Sequence, residues 1–246
     1  MRLTPEQRQH FDEHGYLFFP GLFNPQETQN LVDAVPELYS RQEAYNVREK
    51  GSQAVRTNFA AHMYSKPFAK LARHPRMVEP VEDLFGEKLY MHQFKINGPL
   101  MFIPGSHKKG VVDAKHDLTT TSYPLWTVDN ALITQLVQRA GDKKGGIVSP
   151  TGPAGSMILF HSCLVHASTS NLSPWNRVSV YLSLCAVSNH IRRHKRPEFI
   201  AHRDFTPIDC LPDDCLIKDY PVDLPWANGM PASAMQTSLE EMQVAA

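Results

Sequence analysis

Residues 177–187 limit the possible folds more than any other stretch. Val178, Val180, Leu182, Leu184 and Ala186 alternate there with Arg177, Ser179, Tyr181 and Ser183. Side chains on a strand point to opposite faces with period two. The stretch therefore predicts a strand with one packing face and one polar face, a guanidinium standing at one end. An ordinary surface strand would read the same way. A second alternating stretch, residues 89–97, puts Tyr90, His92, Phe94 and Ile96 on one side and Met91, Gln93, Lys95 and Asn97 on the other. Two half-polar strands in one domain also suit a barrel whose interior holds a polar ligand.

The N-terminal third reads as helical. Thr4, Pro5 and Gln7 predict a capped helix that Gly15 stops, and residues 16–19 follow as a short apolar strand. Asn24, Pro25 and Glu27 repeat the capping pattern and start a helix to about Tyr39. Further helices are expected over 66–72, 77–85 and 128–139, and strands over 100–103, 156–160 and 165–168. No repeat or linker marks a boundary. The expectation is one domain over 1–246: a mostly helical part to 88, a β core over 89–190 and a C-terminal extension over 191–246. Strands with long connections behind a helical front point to a jelly roll with helices packed outside.

Charge and composition narrow the function. Lys and Arg number 25 and Asp and Glu 25, which argues against a nucleic-acid binder driven by bulk charge. No apolar run has the length of a membrane span and the first residues lack a signal-peptide core, so a soluble, cytoplasmic protein is expected. Cys163, Cys185, Cys210 and Cys215 form no CxxC pair and are expected to be reduced bystanders. Twelve histidines hint at metal chemistry.

The chemistry concentrates in residues 165–177, VHASTSNLSPWNR. His166 and Ser168 share a strand face, residues 169–176 contain turn formers, and Arg177 returns on the next antiparallel strand. An imidazole, a hydroxyl and a guanidinium converging at one barrel end suit a metal chelator with a free carboxylate. The stretch resembles the closing His-Gly-Ser…Asn-x-Ser…Arg pattern of the phytanoyl-CoA dioxygenase-like Fe(II)/2-oxoglutarate oxygenases, ectoine hydroxylases among them. Residues 11–23 (FDEHGYLFFPGLF) are similar to the family's opening, 91–97 (MHQFKIN) to its first core strand, and 98–107 (GPLMFIPGSH) to a later strand and turn.

The resemblance implies a double-stranded β-helix with Fe(II) and 2-oxoglutarate as cofactors. It implies hydroxylation of a small metabolite with O2, and no nucleic-acid or membrane partner. A homodimer stays open. In this reading His166 is the distal iron ligand. Arg177 grips the far carboxylate of 2-oxoglutarate, assisted by Ser168 and Asn97. Gln93 is a candidate substrate contact, and Arg203, or Arg196 from the basic run 191–196, could meet an anionic substrate group.

One part is missing. The family's first iron histidine and its carboxylate come as His-x-Asp or His-x-Glu between the strand like 91–97 and the strand like 98–107. Here those strands abut at Asn97-Gly98, so the fold is expected to be incomplete, and the 246 residues alone inactive and poorly stable. His92 is expected in the core, His107 in a turn and His161 in a supporting or loop role, while His116 and Asp117 point to opposite strand faces. Trp126 and Trp175 are expected to be packing residues. The rivals to the hydroxylase are a non-enzymatic barrel binding a small carboxylate, a non-haem iron halogenase, and a cupin-like enzyme using another metal.

Overall fold

The computed structural model describes residues 1–98, 100–117, 125–141, 146–168 and 177–236. Helix α1 (Pro5–His14) is closed at both ends by its own sequence. The Thr4 hydroxyl accepts from the Gln7 amide at 3.2 Å, and the Gln7 side chain accepts from the Thr4 amide at 2.9 Å. Gly15 ends the helix at φ 80°, a left-handed conformation that glycine adopts without steric cost. Strand β1 (Tyr16–Phe19) leads into helix α2 (Pro25–Ser40), where Asn24 and Glu27 form the same reciprocal cap.

Strands β2 (Asn46–Arg48) and β3 (Val55–Phe59) follow, within the part expected to be mostly helical. They are too short to show a period, and distant pairing holds them in place: Asn58 and Phe59 of β3 lie opposite Ile96 and Lys95. Helices α3 (Lys66–Ala72) and α4 (Pro75–Phe85) bury Phe68, Leu71, Val78 and Val81 in one cluster with Phe94 and Ile96. Each large side chain fully buried this way contributes roughly 1.5–3 kcal/mol.

The long strand β4 (Leu89–Asn97) runs through Gly98 to the short β5 (Met101–Phe102). A hairpin of β6 (Ala114–Asp117) and β7 (Leu125–Val128) precedes helix α5 (Asn130–Gly141). That helix starts later than expected because the Asp129 carboxylate accepts from the Ala131 amide at 2.8 Å. Strands β8 (Met157–Phe160), β9 (His166–Ala167) and β10 (Ser179–Ala186) complete the sheet elements. Among the described residues the largest sheet has the order β10-β4-β3-β2, beside the pairs β1-β8, β5-β9 and β6-β7, and these sheets do not close into one barrel.

The alternation expected along β4 holds only for its second half. Ser183 lies opposite Gln93 but Leu184 lies opposite Met91, so the register slips and His92 has no counterpart. Met91 consequently joins Leu89, Phe94 and Ile96 in the core instead of sharing the Gln93 face. His92 is half-buried at the slip, its Nδ1 3.3 Å from the Tyr90 hydroxyl.

The C-terminal extension runs along the flank of β4. Its His202 amide donates to the His92 carbonyl at 2.9 Å, and its Ile208 amide donates to the Leu89 carbonyl at 2.8 Å. A second anchor lies at α4. There Arg76 pairs with the buried Glu27, reaches the Asp213 carboxylate at 2.8 Å, and donates to the Leu22 carbonyl at 2.6 Å.

Candidate active site

His166 stands on β9, which pairs with β5 so that His166 faces Phe102 and Ala167 faces Met101. Its Nδ1 lies 2.7 Å from the Leu164 carbonyl. A carbonyl can only accept, so Nδ1 carries the proton and Nε2 presents a lone pair, the arrangement a metal-binding imidazole uses. The local turn is held by the Ser106 hydroxyl, which accepts from the Val165 amide at 2.9 Å, and by the Ile103 amide, which donates to the Val165 carbonyl at 3.0 Å. The His166 side chain is exposed, as is Ser168 just beyond β9. The turn inferred over 169–176, with Trp175 in it, lies outside the described residues.

Arg177 precedes β10 by two residues and is exposed. The register places Ser179 opposite Asn97, Tyr181 opposite Lys95 and Ser183 opposite Gln93. Directly opposed residues share a face, so Gln93, Lys95, Ser179, Tyr181 and Ser183 make one polar surface across two strands. Within it the Lys95 ammonium sits 4.9 Å from the centre of the Tyr181 ring, and the Tyr181 hydroxyl donates to the Gly98 carbonyl at 3.0 Å. Tyr181 also packs against the small apolar cluster of Leu100, Phe102 and Leu164. Leu164 thereby belongs to both layers, its carbonyl holding the His166 ring and its side chain lying in the cluster that Tyr181 packs against.

Other candidates have protein partners of their own. The Gln93 amide donates to the Ile200 carbonyl of the C-terminal extension at 3.0 Å, and the Arg203 guanidinium donates to the Gln236 carbonyl at 3.1 Å. Arg196 is exposed at the end of the basic run. His107 lies in a 3-10 turn with its Nε2 3.2 Å from the Asp12 carbonyl, and its ring is 5.3 Å from that of His161. His161 accepts from the Cys163 amide at 3.0 Å. Trp126, expected in the packing, is instead 60% exposed and stacks on His116 at 4.5 Å, because the β6-β7 hairpin projects it outward.

His-x-Asp does occur in the chain away from the junction, at His10–Asp12 and His202–Asp204. Residues two apart on α1 point to different sides of the helix, so His10 and Asp12 cannot hold one ion. In the other triplet His202 is buried while Asp204 is exposed, its carboxylate accepting from the Thr206 amide at 2.9 Å. His202 packs edge-on against the half-buried His62 ring at 4.7 Å. Burial, then the nearby His92, pushes the His202 imidazole down to about 4. Burial likewise holds His62 well below the usual imidazole range. Among the described residues no three His, Cys, Asp or Glu side chains gather as a metal ion requires. The donor set thus does not fit the two-histidine, one-carboxylate iron centre that the resemblance implies.

Two residues of the polar face, Lys95 and Tyr181, carried no role in the sequence reading. Both occupy the alternating positions next to Gln93 and Ser183, which was the available signal.

Comparison with known proteins adds a consistent set of relatives. The phytanoyl-CoA dioxygenase (PhyH) family model matches residues 94–179, a stretch that spans the Asn97-Gly98 junction and contains His166, Ser168 and Arg177. An ectoine dioxygenase of Bordetella bronchiseptica is 27% identical over 273 residues, covering 85% of this chain and 87% of the relative. An L-proline trans-4-hydroxylase of Streptomyces griseoviridis is 26% identical over 247 residues, covering 80% and 92%. The crystal structure of EctD from S. alaskensis with 2-oxoglutarate and 5-hydroxyectoine superposes with a TM-score of 0.72 at 26% identity, over 85% of this chain and 87% of that one. The first alignment runs over more positions than this chain has residues, so several tens of the relative's residues have no counterpart here.

Proposed function

We infer that the chain is a phytanoyl-CoA dioxygenase-like Fe(II)/2-oxoglutarate oxygenase, ectoine hydroxylase-like among them. On that premise we propose that its chemistry is the hydroxylation of a small metabolite, with 2-oxoglutarate and O2 converted to succinate and CO2. The observation that carries this reading is the family match over 94–179, which takes in an imidazole with its Nε2 lone pair available and the arginine that follows it. The fold agrees, since the EctD structures share it at a TM-score of 0.70 or above.

Each residue's part follows from its chemistry. His166 is one metal ligand, its tautomer fixed by the Leu164 carbonyl. Arg177 offers a planar fork to a carboxylate, with Ser168 and Asn97 assisting. Gln93 becomes a substrate contact once its amide leaves the Ile200 carbonyl, and Arg203 stands farther along the same extension. A small polar substrate suits a face built from Gln93, Lys95, Ser179 and Ser183. No described helix is long and apolar enough to cross a membrane, and the reading is of a cytoplasmic enzyme.

Iron does not fit the described residues alone, because two of its three protein ligands are not among them. Turnover therefore belongs to the chain with the relatives' intervening segment between Asn97 and Gly98. The test inserts that segment and measures succinate formed from 2-oxoglutarate with Fe(II) and O2, using ectoine and L-proline as trial substrates. Succinate from the restored chain supports the reading. A restored chain that melts cooperatively yet leaves 2-oxoglutarate untouched, even without substrate, rejects it.

A further inference from the structure

Three imidazoles from separate parts of the chain meet where the C-terminal extension crosses β4. His62 comes from the 3-10 turn Ala61–Met63, His92 from the register slip in β4, and His202 from the extension. The half-buried His62 ring stacks on Phe94 at 4.9 Å and on its other side meets His202 at 4.7 Å. Among the described residues, His62 Nδ1 and His202 Nε2 have no hydrogen-bond partner, and both are shut off from solvent. The His202 ring donates to the Glu198 carbonyl through its other nitrogen, so Nε2 carries a lone pair and no proton.

A proton added at that nitrogen finds no acceptor. His62 faces the ring from the turn and His92 from β4, with the Tyr90 hydroxyl and Arg196 beside His92, and none of these supplies a negative charge. Arg203, next in sequence, is engaged with the Gln236 carbonyl. The opposing charge is that of Asp204, which is exposed and accepts from the Thr206 amide. An unpaired ion in such a place either stays neutral or leaves. Leaving is possible because few bonds hold this stretch to β4. They run from the Gln93 side chain to the Ile200 carbonyl at 3.0 Å, from the His202 amide to the His92 carbonyl, and from the Ile208 amide to the Leu89 carbonyl. Past Ile208 the chain is fastened elsewhere, by the Leu211 amide on the Arg73 carbonyl, by Arg76 with Asp213, and by the Trp226 amide on the Met63 carbonyl.

We propose that residues 197–208 form an acid-released strap: protonation of His202 drives it from between His62 and His92 and lifts the Ile200 carbonyl off Gln93. At neutral pH the strap occupies the Gln93 amide, and in acid it frees that amide while the rest of the fold stays in place. The role of Gln93 as a substrate contact rests on the functional reading above, whereas the release depends on the histidines.

The test is hydrogen exchange of the full chain near pH 7.5 and near pH 5, read by mass spectrometry and corrected for the intrinsic effect of pH. A ring that titrates at about 4 in place and near 6.5 once released favours release about thirtyfold more at the lower pH. The amides of 197–208 are therefore expected to exchange about thirtyfold faster there, and ahead of those of α3 and α4 at both pH values. His202→Gln should abolish the acceleration. His62→Gln should diminish it, because a side-chain carbonyl beside His202 gives the protonated ring an acceptor. Circular dichroism shows which of the two variants folds, and the comparison is made with that one. The proposal is overturned by strap amides that exchange no faster than those of α3 and α4, by no acceleration in acid, or by an undiminished response in the folded variant. The measurement needs no metal or substrate, so its failure leaves the hydroxylase reading standing, and failure of that reading leaves the strap.

Discussion

The Tyr181 hydroxyl donates to the carbonyl of Gly98 at 3.0 Å, across the point where β4 gives way to β5. A residue on the last long strand thus fastens the residue that immediately follows β4. Replacing Tyr181 by Phe keeps the ring and its contact with Lys95 but leaves the carbonyl without this donor. The expected loss is about 1 kcal/mol of unfolding free energy in urea, and Tyr181→Ala should lose at least 3. Equal losses for the two variants would show that the hydroxyl, not the ring, carries the contact.

The Arg76–Glu27 pair joins the start of α2 to α4, and Glu27 also accepts from the Asn24 amide at 2.7 Å. Glu27 is 1% exposed, so removing Arg76 strands a carboxylate away from water. Arg76→Ala is expected to cost about 3–5 kcal/mol, while the double change Arg76→Met with Glu27→Leu recovers much of that loss. Chemical denaturation of the two variants decides whether the cost comes from the unpaired charge.

Acid should destabilise the protein through two desolvated imidazoles. In the unfolded chain His202 titrates near 6.5, but in the fold burial and His92 push it down to about 4. Between those values the unfolded chain binds a proton that the folded chain refuses. The stability from the neutral ring is therefore complete above pH 6.5 and is lost as pH falls toward 4, about 3 kcal/mol for this residue. Urea unfolding between pH 7.5 and 4.5 measures the slope, and His202→Gln should flatten it. The direction is the same for His62.

Gly15 serves α1 twice, by its left-handed φ of 80° and by the room it leaves for His107. An added Cβ would run into the His107 ring, so Gly15→Ala combines backbone strain with a clash. A loss of 2 kcal/mol or more is expected, on the order of a strained backbone plus an overpacked contact. Thermal melts of Gly15→Ala with and without His107→Ala separate the two parts, since only the clash is relieved in the double variant.

The elements legible in the sequence were those written locally. Thr4 with Gln7 and Asn24 with Glu27 announced α1 and α2 because a cap depends on residues three apart. Strand β10 showed its face through alternation in the sequence, and β4 did so only from Gln93 onward. The slip at His92 was not legible, because it is decided by pairing with residues far along the chain. Strands β2 and β3 were hidden for the same reason. At the site, the motif around His166, Ser168 and Arg177 could be read directly. The Lys95–Tyr181 contact and the Gln93–Ile200 bond could not, since both join side chains to partners set by register or by the returning extension.

Apart from β3, strand β4 depends on neighbours that are synthesised long after it. Its partner on one side begins at Ser179; on the other, β3 covers only Lys95 and Ile96, and backbone bonds to Leu89 and His92 come from Ile208 and His202. On a ribosome adding about 5–20 residues per second, β4 emerges on the order of ten seconds before those neighbours exist. During that interval nine residues, including Leu89, Met91, Phe94 and Ile96, offer a bare strand edge to any other nascent chain. Soluble yield in cells should therefore respond to lower expression temperature and to chaperones that cover emerging hydrophobic strands, even when the finished protein melts at an unchanged temperature.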